Sequence, residues 1–137
     1  GDNFQFEPGR AIEMRQGRDV TIIACGIMVA PALEAAELLA AEGIRAGVLN
    51  IHTLKPLDVQ AIVAAARDTG AIVTAEEHSI IGGLGSAVAE TLAEHYPVRM
   101  RRVGLRDVFG ESGKPDELLQ KYGLTSSGLV DAVRSLL

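Results

Sequence analysis

The feature that most constrains the fold is a regular alternation of strand-like and helix-like segments. Strand-like segments begin near positions 20, 45, 71 and 98, and a helical pattern lies between each neighbouring pair. The run VTIIAC at 20–25 is apolar and rich in β-branched residues, which is typical of a strand covered on both faces. This alternation predicts a parallel sheet with helices on its faces, connected by right-handed crossovers.

Two segments depart from the pattern. The strand predicted at 98–105 mixes apolar residues with arginines, so it is expected to be less buried and near an edge of the sheet. Residues 11–15 are predicted to turn back through Gln16 and Gly17 and to pair antiparallel with strand 20–25. The expected fold is an α/β three-layer sandwich with a mostly parallel mixed sheet of about five strands and one antiparallel edge strand.

Local signals place the ends of several helices. Asp58 is predicted to cap one helix, which Gly70 ends, and Thr125 is predicted to cap the last helix. A further short helix is expected over 115–121 and is ended by Gly123.

Length and composition narrow the class of protein. The chain has 137 residues, of which 1–10 are interpreted as a linker and 11–137 as one domain. The formal net charge of −5 argues against a nucleic-acid partner. No apolar run reaches the roughly 18 residues of a membrane span, so no membrane partner is expected. The single cysteine, Cys25, permits no internal disulfide, which is consistent with a reducing cytosol.

Polar side chains are expected where two of the strands end. His52 follows the strand at 46–51, and Glu76, Glu77 and His78 follow the strand predicted at 71–75. Ligands of open α/β sheets bind beyond the carboxyl ends of the strands, so a site is expected at this edge. Position alone favours a structural role, in which these groups satisfy helix N-termini and loop backbone.

The stretch TAEEHSIIGGLGSAVAE at 74–90 also raises the question of an anion site, because exposed amides before a helix attract phosphate. The pattern argues against it. Gly83-x-Gly85 continues to Val88 rather than to the Gly or Ala of a dinucleotide fingerprint, and two carboxylates come before it. The three histidines lack metal-site spacing, no GxSxG elbow is present, and Cys25 is expected in the core.

Four segments of the sequence together resemble one known family. They are VTIIACGIMVAPALEAAELL, VLNIHTLKPLD, AIVTAEEHSIIGGLGSAVAE and FGESGKPDELLQKYGLTSSGLVDAV. In this order, they are similar to the C-terminal domain of transketolase over residues 10–137. The same domain closes deoxyxylulose-phosphate synthase and the beta subunit of pyruvate dehydrogenase. The last segment looks most like transketolases, especially those split into two subunits.

The resemblance implies a domain with no catalytic, cofactor-binding or metal-binding residues of its own. Enzymes of this family bind thiamine diphosphate and a divalent metal, magnesium or calcium, between two other domains. Their metal motif, Gly-Asp-Gly followed by Asn, is absent here, and Gly1-Asp2-Asn3 does not match it. The acidic residue that activates the cofactor belongs to the pyrimidine-binding domain and has no counterpart here. This chain alone is therefore expected to be inactive.

The family's activity is the transfer of a two-carbon ketol unit between sugar phosphates, with the cytoplasm as the expected location. The implied partners are the N-terminal thiamine-diphosphate-binding domains or subunit, a second copy in a homodimer, and the sugar-phosphate substrate of the full enzyme. The glycines after β-strand 71–75 are expected to let the loop and the next helix approach neighbouring backbone. The residues expected at an interface, or behind the active site, are His52, Glu76, Glu77, His78, Ile80, Ile81, Gly82, Gly83 and Gly85.

Two alternatives stay open at this point. The same domain occurs in deoxyxylulose-phosphate synthase and in 2-oxoacid dehydrogenase beta subunits. A free-standing α/β module that binds a small anion or a protein would be a function of a different class. A pyrimidine-binding domain, fused to this chain or encoded beside it, would decide between the classes.

Overall fold

The computed structural model describes residues 9–79, 82–105, 120–121 and 123–137. Within these ranges five strands form one sheet. They are β1 (Ile12–Arg15), β2 (Val20–Ala24), β3 (Ala46–Asn50), β4 (Ala71–Ser79) and β5 (Arg99–Leu105). The strand order is β1-β3-β2-β4-β5, with β1 antiparallel to β3 and the other neighbours parallel. The predicted mixed sheet is confirmed, and the arginine-rich β5 is an edge strand as expected.

Helices cover both faces of this sheet. The described helices are α1 (Val29–Ala40), α2 (Val59–Thr69), α3 (Leu84–His95) and α4 (Ser126–Leu136), with a 3-10 turn (Gly26–Met28) before α1. One core lies between the sheet and α1 with α4, and includes Ile22. The other lies between the sheet and α2 with α3, and includes Ile23. Because successive strand residues face opposite sides, β2 supplies both cores, and the three-layer prediction is confirmed.

The partner predicted for the antiparallel strand was wrong. Strand β1 pairs with β3, where Ile12 lies opposite Asn50, and not with β2. Both edges of β2 are occupied by parallel strands, so no edge is left for a hairpin partner. A close contact between Gly17 and Gly47 directs the chain to β3. A Cβ on Gly17 would lie 2.1 Å from the backbone nitrogen of Gly47.

The predicted helix caps are confirmed. Asp58 accepts a hydrogen bond from the Ala61 amide at 3.1 Å, and Gly70 ends α2 with a left-handed φ of 73°. Thr125 caps α4 through the amide of Gly128 at 3.1 Å. Most of the short helix predicted over 115–121 falls outside the described residues. None of the helices in the described ranges is both long and apolar enough to cross a membrane.

Asp58 also has a second role that its local pattern does not indicate. Its Oδ2 accepts a hydrogen bond from the amide of Ala11 at 2.8 Å, while Oδ1 binds Ala61. One carboxylate therefore ties the entry to β1 to the N-terminus of α2. Ala11 and Asp58 are 47 positions apart in the chain, so their hydrogen bond connects the edge strand β1 to the helix layer.

Asp58→Ala should lower the free energy of unfolding by about 2 kcal/mol, because two backbone donors lose their acceptor. The midpoint of urea denaturation measures the change. Asp68→Ala is the matched control, because Asp68 is exposed near the other end of α2. The control should shift stability by less than about 0.5 kcal/mol. Equal midpoints for the two variants would contradict the role given to Asp58.

Candidate functional site at the carboxyl edge of the sheet

The candidate residues after β4 lie within the strand rather than beyond it. The strand was predicted to end at 75 but continues to Ser79, so Glu76, Glu77 and His78 all belong to β4. Successive residues of a strand point to opposite faces, which sends the two carboxylates in different directions. The pairing with β5 is irregular between Ala75 and Ser79.

Glu76 binds the start of α3. Its side chain is only 1% exposed. Oε1 accepts a hydrogen bond from the Leu84 amide at 2.8 Å, and Oε2 accepts one from the Gly85 amide at 2.7 Å. The N-cap residue Gly83 has no side chain to do this, so Glu76 satisfies the helix from the neighbouring strand. A carboxylate is also favoured by the partial positive charge at a helix N-terminus.

This arrangement decides between two interpretations of the glycine-rich stretch. The expectation that polar groups here satisfy a helix N-terminus is confirmed for Glu76. The amides of Leu84 and Gly85, which an anion site would use, already bind its buried carboxylate. A phosphate would have to displace Glu76 and approach its negative charge, which costs free energy. The geometry therefore argues against a phosphate cradle at these two amides.

Glu77 lies on the other side of β4, beside the turn that follows β2. Its Oε1 is 3.3 Å from the position that a Cβ on Gly26 would occupy. Gly26 has a left-handed φ of 59°, so the turn favours glycine both for its backbone and for the nearby carboxylate. The parallel pairing of β2 with β4 brings their carboxyl ends together at this edge.

Cys25 belongs to the same corner and is only partly buried. Burial, together with the smaller effect of the negative charges of Glu76 and Glu77, raises the pKa of its thiol from 9.0 to about 11. A thiol with this pKa is almost fully protonated at neutral pH, and the thiolate is the nucleophilic form. Cys25 is therefore poorly suited to nucleophilic catalysis.

His52 lies apart from the glutamates. It is partly buried in the loop after β3, where its Nδ1 is 3.0 Å from Oγ1 of Thr53. Strand β2 separates β3 from β4, which places the two strands about 10 Å apart across the sheet. The sequence pattern put His52 and Glu76 on the same edge, and the sheet order keeps them on different strands of that edge.

The glycines after β4 have different reasons for being glycine. Gly82 has a left-handed φ of 74° with open space where a Cβ would be. Gly85 is confined instead: a Cβ there would lie 3.0 Å from Cδ of Arg102 and 3.1 Å from Oγ1 of Thr74. The expected close approach is therefore found at Gly85, although its neighbours are side chains and not backbone. The predicted interface residues Ile80 and Ile81 lie outside the described residues.

The sequence pattern gave no warning of two further polar groups in this region. Thr74 is fully buried, and its hydroxyl has no hydrogen-bond partner within the described part of the chain. The same holds for the side-chain oxygen of Asn50 at the end of β3. Both belong to apolar strands, where a single polar residue is not distinguished by any local pattern. Among the described residues, no group of three or more His, Cys, Asp or Glu side chains could hold a metal ion.

The family of the chain follows from comparison with known proteins. The protein-family model described as transketolase, C-terminal domain, matches residues 9–129 of the chain. The chain belongs to the transketolase C-terminal domain family. It is 56% identical over 135 residues to the 6-deoxy-6-sulfo-D-fructose transketolase subunit SqwH of Clostridium sp. (strain MSTE9). It is 49% identical over 129 residues to the 1-deoxy-D-xylulose-5-phosphate synthase of Heliobacterium modesticaldum.

This transketolase-type domain is shorter than the proteins it matches. The alignments cover 98% and 93% of the chain but only 42% of the Clostridium subunit and 20% of the Heliobacterium synthase. A solved structure described as a split gene transketolase, inactive beta4 tetramer, is 57% identical to this chain and superimposes with a TM-score of 0.92. The match covers all of this chain and 45% of the solved chain. A transketolase from Pichia stipitis shares the fold, with 22% identity and a TM-score of 0.69. The match covers 92% of this chain and 18% of the Pichia chain.

Glu76→Gln should destabilise the domain by about 2–3 kcal/mol, because the amide NH₂ would face a backbone donor in a buried site. Thermal and urea denaturation measure the loss. Glu90→Gln is the control, since Glu90 is exposed on α3, the helix that Glu76 caps. A Glu76 variant as stable as the Glu90 variant would show that the two amide contacts contribute little.

Cys25 should react slowly with iodoacetamide, and its rate should keep rising beyond pH 9. Below both pKa values, raising the pKa from 9.0 to about 11 makes the thiolate about 100-fold rarer. The higher nucleophilicity of a more basic thiolate offsets part of this, leaving a rate about tenfold lower than in the urea-unfolded chain at pH 8. Alkylation followed by mass spectrometry gives the pH profile.

Glu77→Gln removes one of the charges that disfavour the Cys25 thiolate, so this variant should react faster at the same pH. Glu90→Gln again serves as the control and should leave the rate unchanged. A wild-type rate that levels off near pH 9 would contradict the raised pKa.

Proposed function

We propose that this chain is the non-catalytic C-terminal part of a transketolase-type enzyme that transfers a two-carbon ketol unit between sugar phosphates. Its contributions are assembly of the enzyme and the periphery of the active site. The observation that carries the proposal is 56% identity across almost the whole chain to a transketolase subunit more than twice as long. The use of Glu76 as a helix cap supports it, because the most buried carboxylate at the sheet edge already has a structural task.

Thiamine diphosphate and a divalent metal, magnesium or calcium, are proposed to bind outside this chain. The sequence carries neither the Gly-Asp-Gly metal motif nor the acidic residue of the pyrimidine-binding domain. The proposed partners are therefore the thiamine-diphosphate-binding domains or subunit, together with a second copy of the assembled enzyme in a homodimer. The cytoplasm is the proposed location, supported by the use of a single cysteine, which forms no internal disulfide.

The substrate class has two candidates within transketolase chemistry and one outside it. Sugar phosphates are the general expectation. The name of the Clostridium relative refers to 6-deoxy-6-sulfo-D-fructose, which supports a ketose carrying a sulfonate as the second candidate. The 49% identity to a 1-deoxy-D-xylulose-5-phosphate synthase supports the third candidate, the substrate of a synthase rather than of a transketolase.

The isolated chain should neither bind thiamine diphosphate nor turn over ketose phosphates. Calorimetric titration with thiamine diphosphate and magnesium should give only heats of dilution. Addition of both thiamine-diphosphate-binding domains of a split transketolase, including the pyrimidine-binding domain, should give binding and ketol transfer. Saturable micromolar binding to the chain alone would overturn the non-catalytic assignment and favour a binding module. Donor preference among fructose 6-phosphate, 6-deoxy-6-sulfo-fructose and pyruvate then separates the three candidate substrates.

The carboxyl edge of the sheet is the proposed assembly surface. Ile27, in the turn after β2, is 55% exposed, and Leu54, in the loop after β3, is 41% exposed. Both large apolar side chains follow the carboxyl ends of neighbouring parallel strands, β2 and β3. Apolar side chains exposed together at one edge are typical of a surface that another protein covers.

Ile27→Asp should weaken assembly with the partner subunit, because burying an unpaired carboxylate costs several kcal/mol. Ile80→Asp with Ile81→Asp tests the two apolar residues that the sequence predicts at an interface. Sedimentation velocity over a concentration series, with and without the partner subunit, measures association. Urea denaturation confirms that each variant remains folded.

Leu38→Asp is the matched control for assembly. Leu38 is 46% exposed, and it lies near the end of α1, toward the opposite edge of the sheet. This variant should associate like the wild type. If all variants assemble equally well, the interface lies elsewhere on the domain, while the assignment of the domain to a transketolase-type enzyme would still rest on the restored activity.

A further inference from the structure

We draw no further inference here: the strongest candidate, the groove of about 770 Å³ between β1 and α2, is lined by side chains of both charges, including Glu13, Arg15 and Asp68, and nothing in the structure shows what covers it.

Discussion

The fold of this domain depends on a buried carboxylate that joins strand β4 to helix α3. Glu76 is a strand residue that caps a helix eight and nine positions further along the chain. Burial of a charge is unfavourable unless strong hydrogen bonds compensate for it, and two short amide contacts supply that compensation here. The same contacts bring Gly85 against Thr74 and Arg102, so the closeness of α3 to the sheet and the identity of Gly85 are linked.

Much of the architecture could be predicted because its causes are local. Apolar runs identified the central strands, and Asp58 and Thr125 identified the helix starts, since each cap bonds an amide only three residues away. The partner of β1 could not be predicted in this way. It depends on contact between Gly17 and Gly47, which are separated in the chain by β2 and α1 and so carry no local signal of their approach.

The candidate site was predicted in part. The chain position of Glu76 indicated the correct edge of the sheet, and its role as a cap was one of the interpretations that the pattern allowed. The length of β4 was underestimated, because consecutive polar residues such as Glu76 and Glu77 are typical of loops. Pairing with β5, which resumes at Ser79 opposite Leu105 after an irregularity, overrides that preference. The buried hydroxyl of Thr74 left no sequence signal, because it lies against Gly85 of α3, which is outside the local pattern of β4.

The contact between Gly17 and Gly47 has a consequence for the behaviour of the domain at high concentration. Strand β1 covers an edge of β3, which would otherwise present unpaired backbone groups to other chains. A side chain at either glycine would separate the two backbones, since the nearest atoms lie at 2.1 Å and 2.6 Å from the added carbon. The uncovered edge could then pair with the same strand of another molecule. These two glycines therefore place a four-residue strand that carries Glu13 and Arg15 at this edge in place of β3, and short, charged edge strands pair less readily with other molecules.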